Sequence, residues 1–162
     1  MESKKRGYFT LLLVAINFLF STSLAASGIE VEQASVRETI PGAQVSAAYM
    51  VIKNRSKQDA LLVGVNSQTV AKIEMHEHRH EGGMMAMRKV SSVVVPAQGE
   101  FVFKSGGHHM MLMDLEQPLS AGEKLDLQLL FQDGESLDIS APVVSVNAGV
   151  GSHPMSHSKS SK

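Results

Sequence analysis

The stretch KLDLQLLFQDGESLDIS, residues 124–140, decides the fold class. Its first half alternates leucines, from Leu125 to Leu129, with charged or polar residues, which is the period of a half-buried strand. Asp133-Gly134 follows, a dipeptide typical of tight hairpin turns, and a second alternating run, SLDIS, comes after it. The stretch therefore predicts two antiparallel strands joined by a short turn.

The rest of the chain repeats this kind of signal. The segments YMVIKN and FVFK are rich in β-branched, aromatic or alternating apolar residues. Turn-forming residues separate the segments: Pro41-Gly42, residues 96–99, Gly106-Gly107 and Ala121-Gly122. No long stretch has helical periodicity. Several short strands predict an all-β, antiparallel sandwich or barrel formed by a single domain, residues 26–147.

The first 25 residues are expected to be a secretory signal peptide. Basic residues precede an apolar run of ten, LLLVAINFLF, and small residues at Ser23 and Ala25 form a cleavage pattern. The alternative, an uncleaved membrane anchor, is disfavoured because a span needs about 20 apolar residues. No cysteine follows Ala25, so lipid attachment at a mature N-terminal cysteine is excluded. We therefore expect a monomeric periplasmic protein without stable membrane association.

Charge and cysteine content exclude several classes of function. Removing residues 1–25 leaves 12 basic against 15 acidic groups and a net charge of about −3. No basic block remains to bind phosphates, so nucleic acid is not expected as a partner. The chain has no cysteine, which removes disulfides, thiolate nucleophiles and thiolate metal ligands. Any soft metal ligand must therefore be a methionine.

Histidine and methionine cluster along the sequence. The seven histidines occur in three groups: His76, His78 and His80; His108 and His109; His153 and His157. Most methionines accompany them: Met75, Met84, Met85, Met87, Met110, Met111, Met113 and Met155. If these residues were only packing or surface residues scattered at random, the histidines would not be confined to three short groups.

The segment EMHEHRHEGGMMAMRKV, residues 74–90, predicts a hairpin with metal ligands on one face. Residues two apart in a strand share a face, so the three histidines point the same way. A turn at Glu81-Gly82 places His76 opposite Met87, whereas a turn at Gly82-Gly83 places His78 opposite Met87. In both registers histidines face methionines across the strands, with Cβ atoms about 4.5–5.5 Å apart. An odd-length loop would instead place Met84, Ala86 and Arg88 opposite the histidines.

The segment GGHHMMLMDL follows the same rule. His109, Met111 and Met113 share one face, while His108, Met110 and Leu112 lie on the other. A hairpin with His and Met, together with a His-x-Met strand, offers two nitrogens and two sulfurs. Imidazole with thioether favours copper, and thioether specifically favours Cu(I). Magnesium and calcium prefer oxygen ligands, and zinc sites are built from Cys, His and carboxylates.

Other interpretations of these residues remain open. Single methionines are more often core filler than ligands, and His80 beside the turn is better explained as a solvated residue. A three-histidine zinc enzyme would use the histidines without needing Met87 or Met111. A blue-copper electron carrier would need a cysteine thiolate. A periplasmic copper buffer would have the same site as a copper carrier, without a specific recipient.

The spacing of these residues resembles a known family. His76, Met87, His109 and Met111 form the pattern H-x10-M-x21-H-x-M, which is similar to the signature of the PCu(A)C periplasmic copper chaperones. The flanking segments AAYMVIKN, VPAQGEFVFKSGGHHMMLMDLEQPL and GEKLDLQLLF also resemble that family. The resemblance implies a cupredoxin-like β-sandwich, not an enzyme, that binds Cu(I) through these four residues. It also implies delivery of copper to the CuA site of cytochrome c oxidase, through its subunit II, or to a Sco-type copper protein.

This chain departs from the family pattern after the first ligand, where methionine is common and His78 and His80 occur here. Extra imidazoles could recruit a second ion or strengthen binding of Cu(II). Residues 148–162 are expected to form a flexible tail that captures Cu(II) or shuttles copper, or that only solubilises the protein. The further candidate ligands are His78, Met85, Met113, His153, Met155 and His157.

Overall fold

The computed structural model describes residues 28–145 and forms strands, turns and loops there. The strands are β1 (Ile29–Arg37), β2 (Ser46–Asn54), β3 (Ala60–Asn66), β4 (Lys72–Glu81), β5 (Met84–Val90), β6 (Val93–Val95), β7 (Gly99–Phe103), β8 (His109–Met113), β9 (Lys124–Phe131) and β10 (Ser136–Val144). Among the described residues, no helix is long and apolar enough to cross a membrane. The predicted all-β class is confirmed.

The stretch 124–140 forms the hairpin of β9 and β10 that its alternation predicts. Leu125, Leu127 and Leu129 are buried, and the residues between them are exposed or half-buried. Gly134 has a φ of 88°, a left-handed conformation that glycine adopts without strain. Its amide donates a hydrogen bond of 3.1 Å to the carbonyl of Phe131 and closes the turn.

The strands form one continuous hydrogen-bonded sheet. Its order is β5-β4-β8-β2-β1-β10-β9-β3-β6. Strand β7 is not part of this order and pairs with β2. Along one edge of β2, residues 46–48 pair with β8 and residues 50–54 pair with β7. Because β8 also pairs with β4, the two segments rich in histidine and methionine lie side by side.

One strand pair departs from the antiparallel expectation. The C-terminal end of β1 runs parallel to β10, with Val36 opposite Val143. The first part of β1 pairs with β2, and the register shifts between Glu32 and Ser35, where Gln33 has a φ of 52°. Such a bulge redirects a strand, and it lets β1 connect two parts of the sheet. Pairing between the two ends of a chain leaves little local signal in the sequence.

A single apolar core lies on the inner face of the sheet. Its fully buried side chains come from most of the strands and include Val36, Ala48, Ile52, Leu62, Val95, Met110, Leu112, Leu129 and Ala141. Two segments adjacent to the histidines contribute to it, since Met75 of β4 and Met110 of β8 are both buried. The strands that carry the candidate ligands are therefore held by the core through their opposite faces.

Candidate metal centre

A glycine turn sets the register of the β4-β5 hairpin. Gly82 and Gly83 have φ values of 58° and 84°, both positive, as the two-residue turns that match strand twist require. Of the two turns that the sequence allows, the structure has the one at Gly82-Gly83. The resulting pairs are His76 with Lys89, His78 with Met87, and His80 with Met85.

Strand β8 brings the second cluster against this hairpin. His109 lies opposite His76, and Met111 lies opposite Glu74. The outer face of the three neighbouring strands β5, β4 and β8 therefore carries histidines and methionines, while the inner face carries the buried Met75 and Met110. The predicted division of GGHHMMLMDL into two faces is confirmed.

Four of the candidate donors line one cavity of about 340 Å³: His78, Met87, His109 and Met111. Ile40 and Val45, from the loop between β1 and β2, also line it. Arg37, Glu38 and Tyr49 also line the cavity, so the thioethers, imidazoles and aliphatic side chains share it with charged and polar groups. His76 is not among the lining residues, although its ring centroid lies 6.1 Å from that of His109.

Hydrogen bonding fixes the orientation of His76. Its Nε2 lies 2.9 Å from Oε2 of Glu74, so Nε2 is the atom that donates to the carboxylate. Nδ1 is buried and has no hydrogen-bond partner. The pKa of Glu74 is lowered from 4.5 to about 2, mainly by the hydrogen bond from Lys89 and then by that from His76. The ionised carboxylate of Glu74 can only accept a hydrogen bond, so it holds the ring proton of His76 on Nε2. The lone pair of Nδ1 is then available to a metal ion.

His109 is oriented by the backbone instead. Its Nδ1 lies 3.1 Å from the carbonyl oxygen of Gly107 and donates to it, which leaves Nε2 available as a ligand. Only 5% of the residue is exposed. Burial lowers the pKa of His109 below its usual 6.5, while the bond to Gly107 acts in the opposite direction. The neutral form that a metal requires is therefore favoured.

His78 provides a third imidazole in the same place. Its ring centroid is 4.9 Å from that of His109, and its Nδ1 is also buried without a hydrogen-bond partner. Buried polar atoms are nearly always paired in folded proteins. A soft cation bound in the cavity that Met87 and Met111 also line would supply a partner for Nδ1 of His78.

The remaining candidates lie away from the cavity. His80 and Met85 are exposed at the tip of the hairpin, and Met113 lies opposite Lys72 at the far end of β4. His108 faces the other way, with Nε2 3.4 Å from a carboxylate oxygen of Glu77. The tail candidates lie outside the described residues: His153, Met155 and His157.

Histidines and carboxylates alone do not complete a site. Within residues 28–145, no three side chains drawn from His, Cys, Asp and Glu are arranged to hold a metal ion. The donor set that the structure brings together depends on Met87 and Met111. Sequence reasoning gave the histidine and methionine candidates, but not the Gly107 carbonyl that orients His109.

Comparison with known proteins identifies the family. The family model described as "Putative lipoprotein LpqE-like" matches residues 29–143. The chain belongs to this PCuAC family. Its sequence is 33% identical over 119 residues to "Putative lipoprotein Lxx21020" of Leifsonia xyli subsp. xyli, a match covering 73% of this chain and 70% of that protein. An uncharacterized protein of Rickettsia prowazekii, RP573, is 27% identical over 103 residues, or 63% of this chain and 57% of that protein.

Solved structures of PCuAC domains share the fold. Apo-DR1885 from Deinococcus radiodurans is 33% identical, with a TM-score of 0.59 over 75% of this chain and 81% of that one. The Cu(I) form of DR1885 is 34% identical, with a TM-score of 0.57 over 68% and 74%. The copper-bound PCuAC domain from PmoF2 has a TM-score of 0.61 over 73% and 93%, at 20% identity. The expected cupredoxin-like β fold is confirmed.

Proposed function

We propose that this PCuAC protein is an exported copper carrier that holds Cu(I) through imidazole and thioether ligands and passes it to a protein acceptor. One observation carries the proposal. Nδ1 of His76 and Nδ1 of His78 are buried without hydrogen-bond partners, and His78 lines a cavity together with Met87, His109 and Met111. Leaving a buried polar atom unpaired costs about 1–3 kcal/mol, and a bound cation would remove that cost.

The proposed ligands are the four residues of the family pattern: His76, Met87, His109 and Met111. In the sheet, His76 is directly opposite His109, and it is diagonal to both methionines. His78 is directly opposite Met87 and lines the cavity. It therefore acts as an additional donor that can exchange with His76. Two thioethers in such a set select Cu(I), and DR1885, a relative, has been solved as a Cu(I) form.

Retention and release both follow from this arrangement. His109 is almost fully buried, whereas 48% of Met87 is exposed. An acceptor ligand can displace the exposed thioether first, while the buried imidazole still holds the ion. Thioethers take up no proton near neutral pH and cannot be oxidised to disulfides. The carrier thus needs no reduction step before it binds copper.

Export and delivery are further parts of the proposal. The "lipoprotein" descriptions of the family and of the Leifsonia protein support an exported location, and the signal peptide expected at residues 1–25 would direct the chain to the periplasm. The recipient is cytochrome c oxidase subunit II, at its CuA site, or a Sco-type copper protein. A periplasmic buffer without a recipient is the alternative, because the same ligands would serve both roles.

The position of Ser145 supports a role of the tail in copper binding. Ser145 Oγ donates a hydrogen bond of 2.6 Å to Oε1 of Glu38, and Glu38 lines the cavity. The tail donors His153, Met155 and His157 follow within twelve positions of Ser145. A tail that follows Ser145 could capture Cu(II) or shuttle copper to the core site. Truncation at Asn147 should lower the number of Cu(II) ions bound per chain; an unchanged number would leave the tail a linker.

A Cu(I) competition titration against a chromophoric chelator tests the ligand set. Met87→Ala and Met111→Ala should each weaken Cu(I) binding by about 100-fold or more. Loss of a residue that only orients a metal ligand already lowers metal affinity by about 10–100-fold, and loss of a ligand should cost at least as much. Met84→Ala is the matched control, because Met84 is exposed on the same strand as Met87 but on the other face. Full Cu(I) affinity in both cavity variants would refute the proposed site.

The two imidazoles of β4 are tested in the same titration. If His78 can replace His76, either single change to alanine should lower Cu(I) affinity by about tenfold. The double change should lower it by far more than the product of the two single losses. Strictly multiplicative losses would show that the two rings act independently.

For delivery, copper-loaded protein is mixed with the soluble domain of oxidase subunit II or with a Sco-type protein. Transfer no faster than release to a chelator would favour the buffer.

A further inference from the structure

The ligand-bearing face of the β4-β5 hairpin continues beyond the cavity. His78 and Met87 border the cavity, and the next pair toward the turn on the same face is His80 with Met85. Pairs two residues apart are separated by about 7 Å along a strand, and opposed Cβ atoms lie about 4.5–5.5 Å apart. An imidazole and a thioether thus face each other one step outside the proposed copper site.

The opposite face of the hairpin tip has a different chemistry. It carries Arg79, whose Nε lies 2.6 Å from Oε1 of Glu77, together with Met84. The only lysine on the ligand face of β5 is Lys89, which lies beyond Met87 at the far end and is bound to Glu74 at 2.7 Å. Between the cavity and the tip, the ligand face of the hairpin therefore presents imidazole and thioether side chains.

The tip is also accessible to a partner. Met85 is 56% exposed, and His80 is exposed as well. Strand β5 is the last strand of the sheet order, so only β4 pairs with it among the described strands. Met85 lies nearer the turn than Met87, so a protein that docks at the tip of the hairpin contacts Met85.

We propose that His80 and Met85 form an outer Cu(I) station, through which copper passes between the cavity and a partner protein. The inference rests on the proposed copper carriage and adds a path to it. Cu(I) tolerates low coordination numbers, so one imidazole and one thioether can hold it briefly. The ion then moves inward by exchanging Met85 for Met87 and His80 for His78, and it changes neither charge nor oxidation state.

Methionine methyl NMR on the full chain tests this station, with Ag(I) as a redox-inert probe of Cu(I) sites. The first equivalent should shift the methyl signals of Met87 and Met111. The second equivalent should shift Met85 but leave Met84 in place. A second equivalent that leaves the Met85 signal in place, or that moves Met84 equally, would overturn the station. No response of Met87 and Met111 to the first equivalent would instead remove the proposed function, and the station with it.

Transfer kinetics supply the second measurement. Cu(I) release from the loaded protein to an excess of chelator should slow by about tenfold in Met85→Ala and in His80→Ala, because the ion then leaves the cavity without an intermediate donor pair. The equilibrium affinity of the cavity should stay within a factor of about two. Met84→Ala and Arg79→Ala are controls from the opposite face and should release copper at the wild-type rate. Equal rates in all four variants would refute the path.

Discussion

Two adjacent methionines of β8 give a direct test of the assignment of faces. Met110 is fully buried in the core, whereas Met111 lines the cavity. Truncation of a buried methionine to alanine costs about 2–5 kcal/mol of unfolding free energy. For a domain of this size, 1 kcal/mol corresponds to about 4 °C in Tm. Met110→Ala should therefore lower Tm by about 8–20 °C and change Cu(I) affinity little.

Met111→Ala should show the opposite behaviour. Its side chain faces the cavity and not the packed core, so the apo protein should lose less than about 1 kcal/mol, while Cu(I) binding should weaken strongly. Thermal unfolding of the apo variants and the chelator competition measure the two effects separately. Addition of Cu(I) should raise the Tm of Met110→Ala and have little effect on that of Met111→Ala. Equal destabilisation of both apo variants, or a larger loss of Cu(I) affinity in Met110→Ala, would refute the reasoning.

Two further predictions concern the groups around the imidazoles. Glu74→Gln keeps the size of the side chain but removes the carboxylate that orients His76, so Cu(I) affinity should fall by about tenfold or more. Glu32→Gln, which breaks the Glu32–Lys53 ion pair elsewhere on the surface, should leave the affinity unchanged in the same titration. The lowered pKa of His109 means that, below its usual pKa of 6.5, the unfolded chain takes up a proton there before the folded protein does. The stability that neutral His109 contributes is present above pH 6.5 and should decline as the pH falls below it. Urea unfolding of wild type and His109→Gln across this range measures the effect, and an equal pH dependence in both would contradict it.

The regular parts of this fold could be predicted because their signals are local. Alternation and the Asp133-Gly134 turn are sufficient for the β9-β10 hairpin, and alternation in β8 separates Met110 from Met111. The parallel pairing of β1 with β10 had no such signal. It joins the two ends of the described chain, and only the folded arrangement of the other strands brings them together.

The candidate site was predictable as a set of donors but not as a geometry. The sequence allowed two turns, and the positive φ angles of both Gly82 and Gly83 select one. That one-residue difference places His78, and not His76, directly opposite Met87. The loop with Ile40 and Val45, which lines part of the cavity, carries no metal-binding signature. Its position depends on tertiary packing, which residue patterns do not encode.

The free edge of β5 imposes a constraint on the sequence around the site. Among the described strands β5 pairs only with β4, so its other edge offers backbone groups to any other extended chain, which is a route to aggregation. Native proteins counter this with short edge strands and with charged side chains, especially lysine. Strand β5 has seven residues and carries Lys89, which is 61% exposed along its side chain. Lys89 therefore has two separate effects: it keeps Glu74 ionised beside His76, and it makes the edge a poor template for self-association.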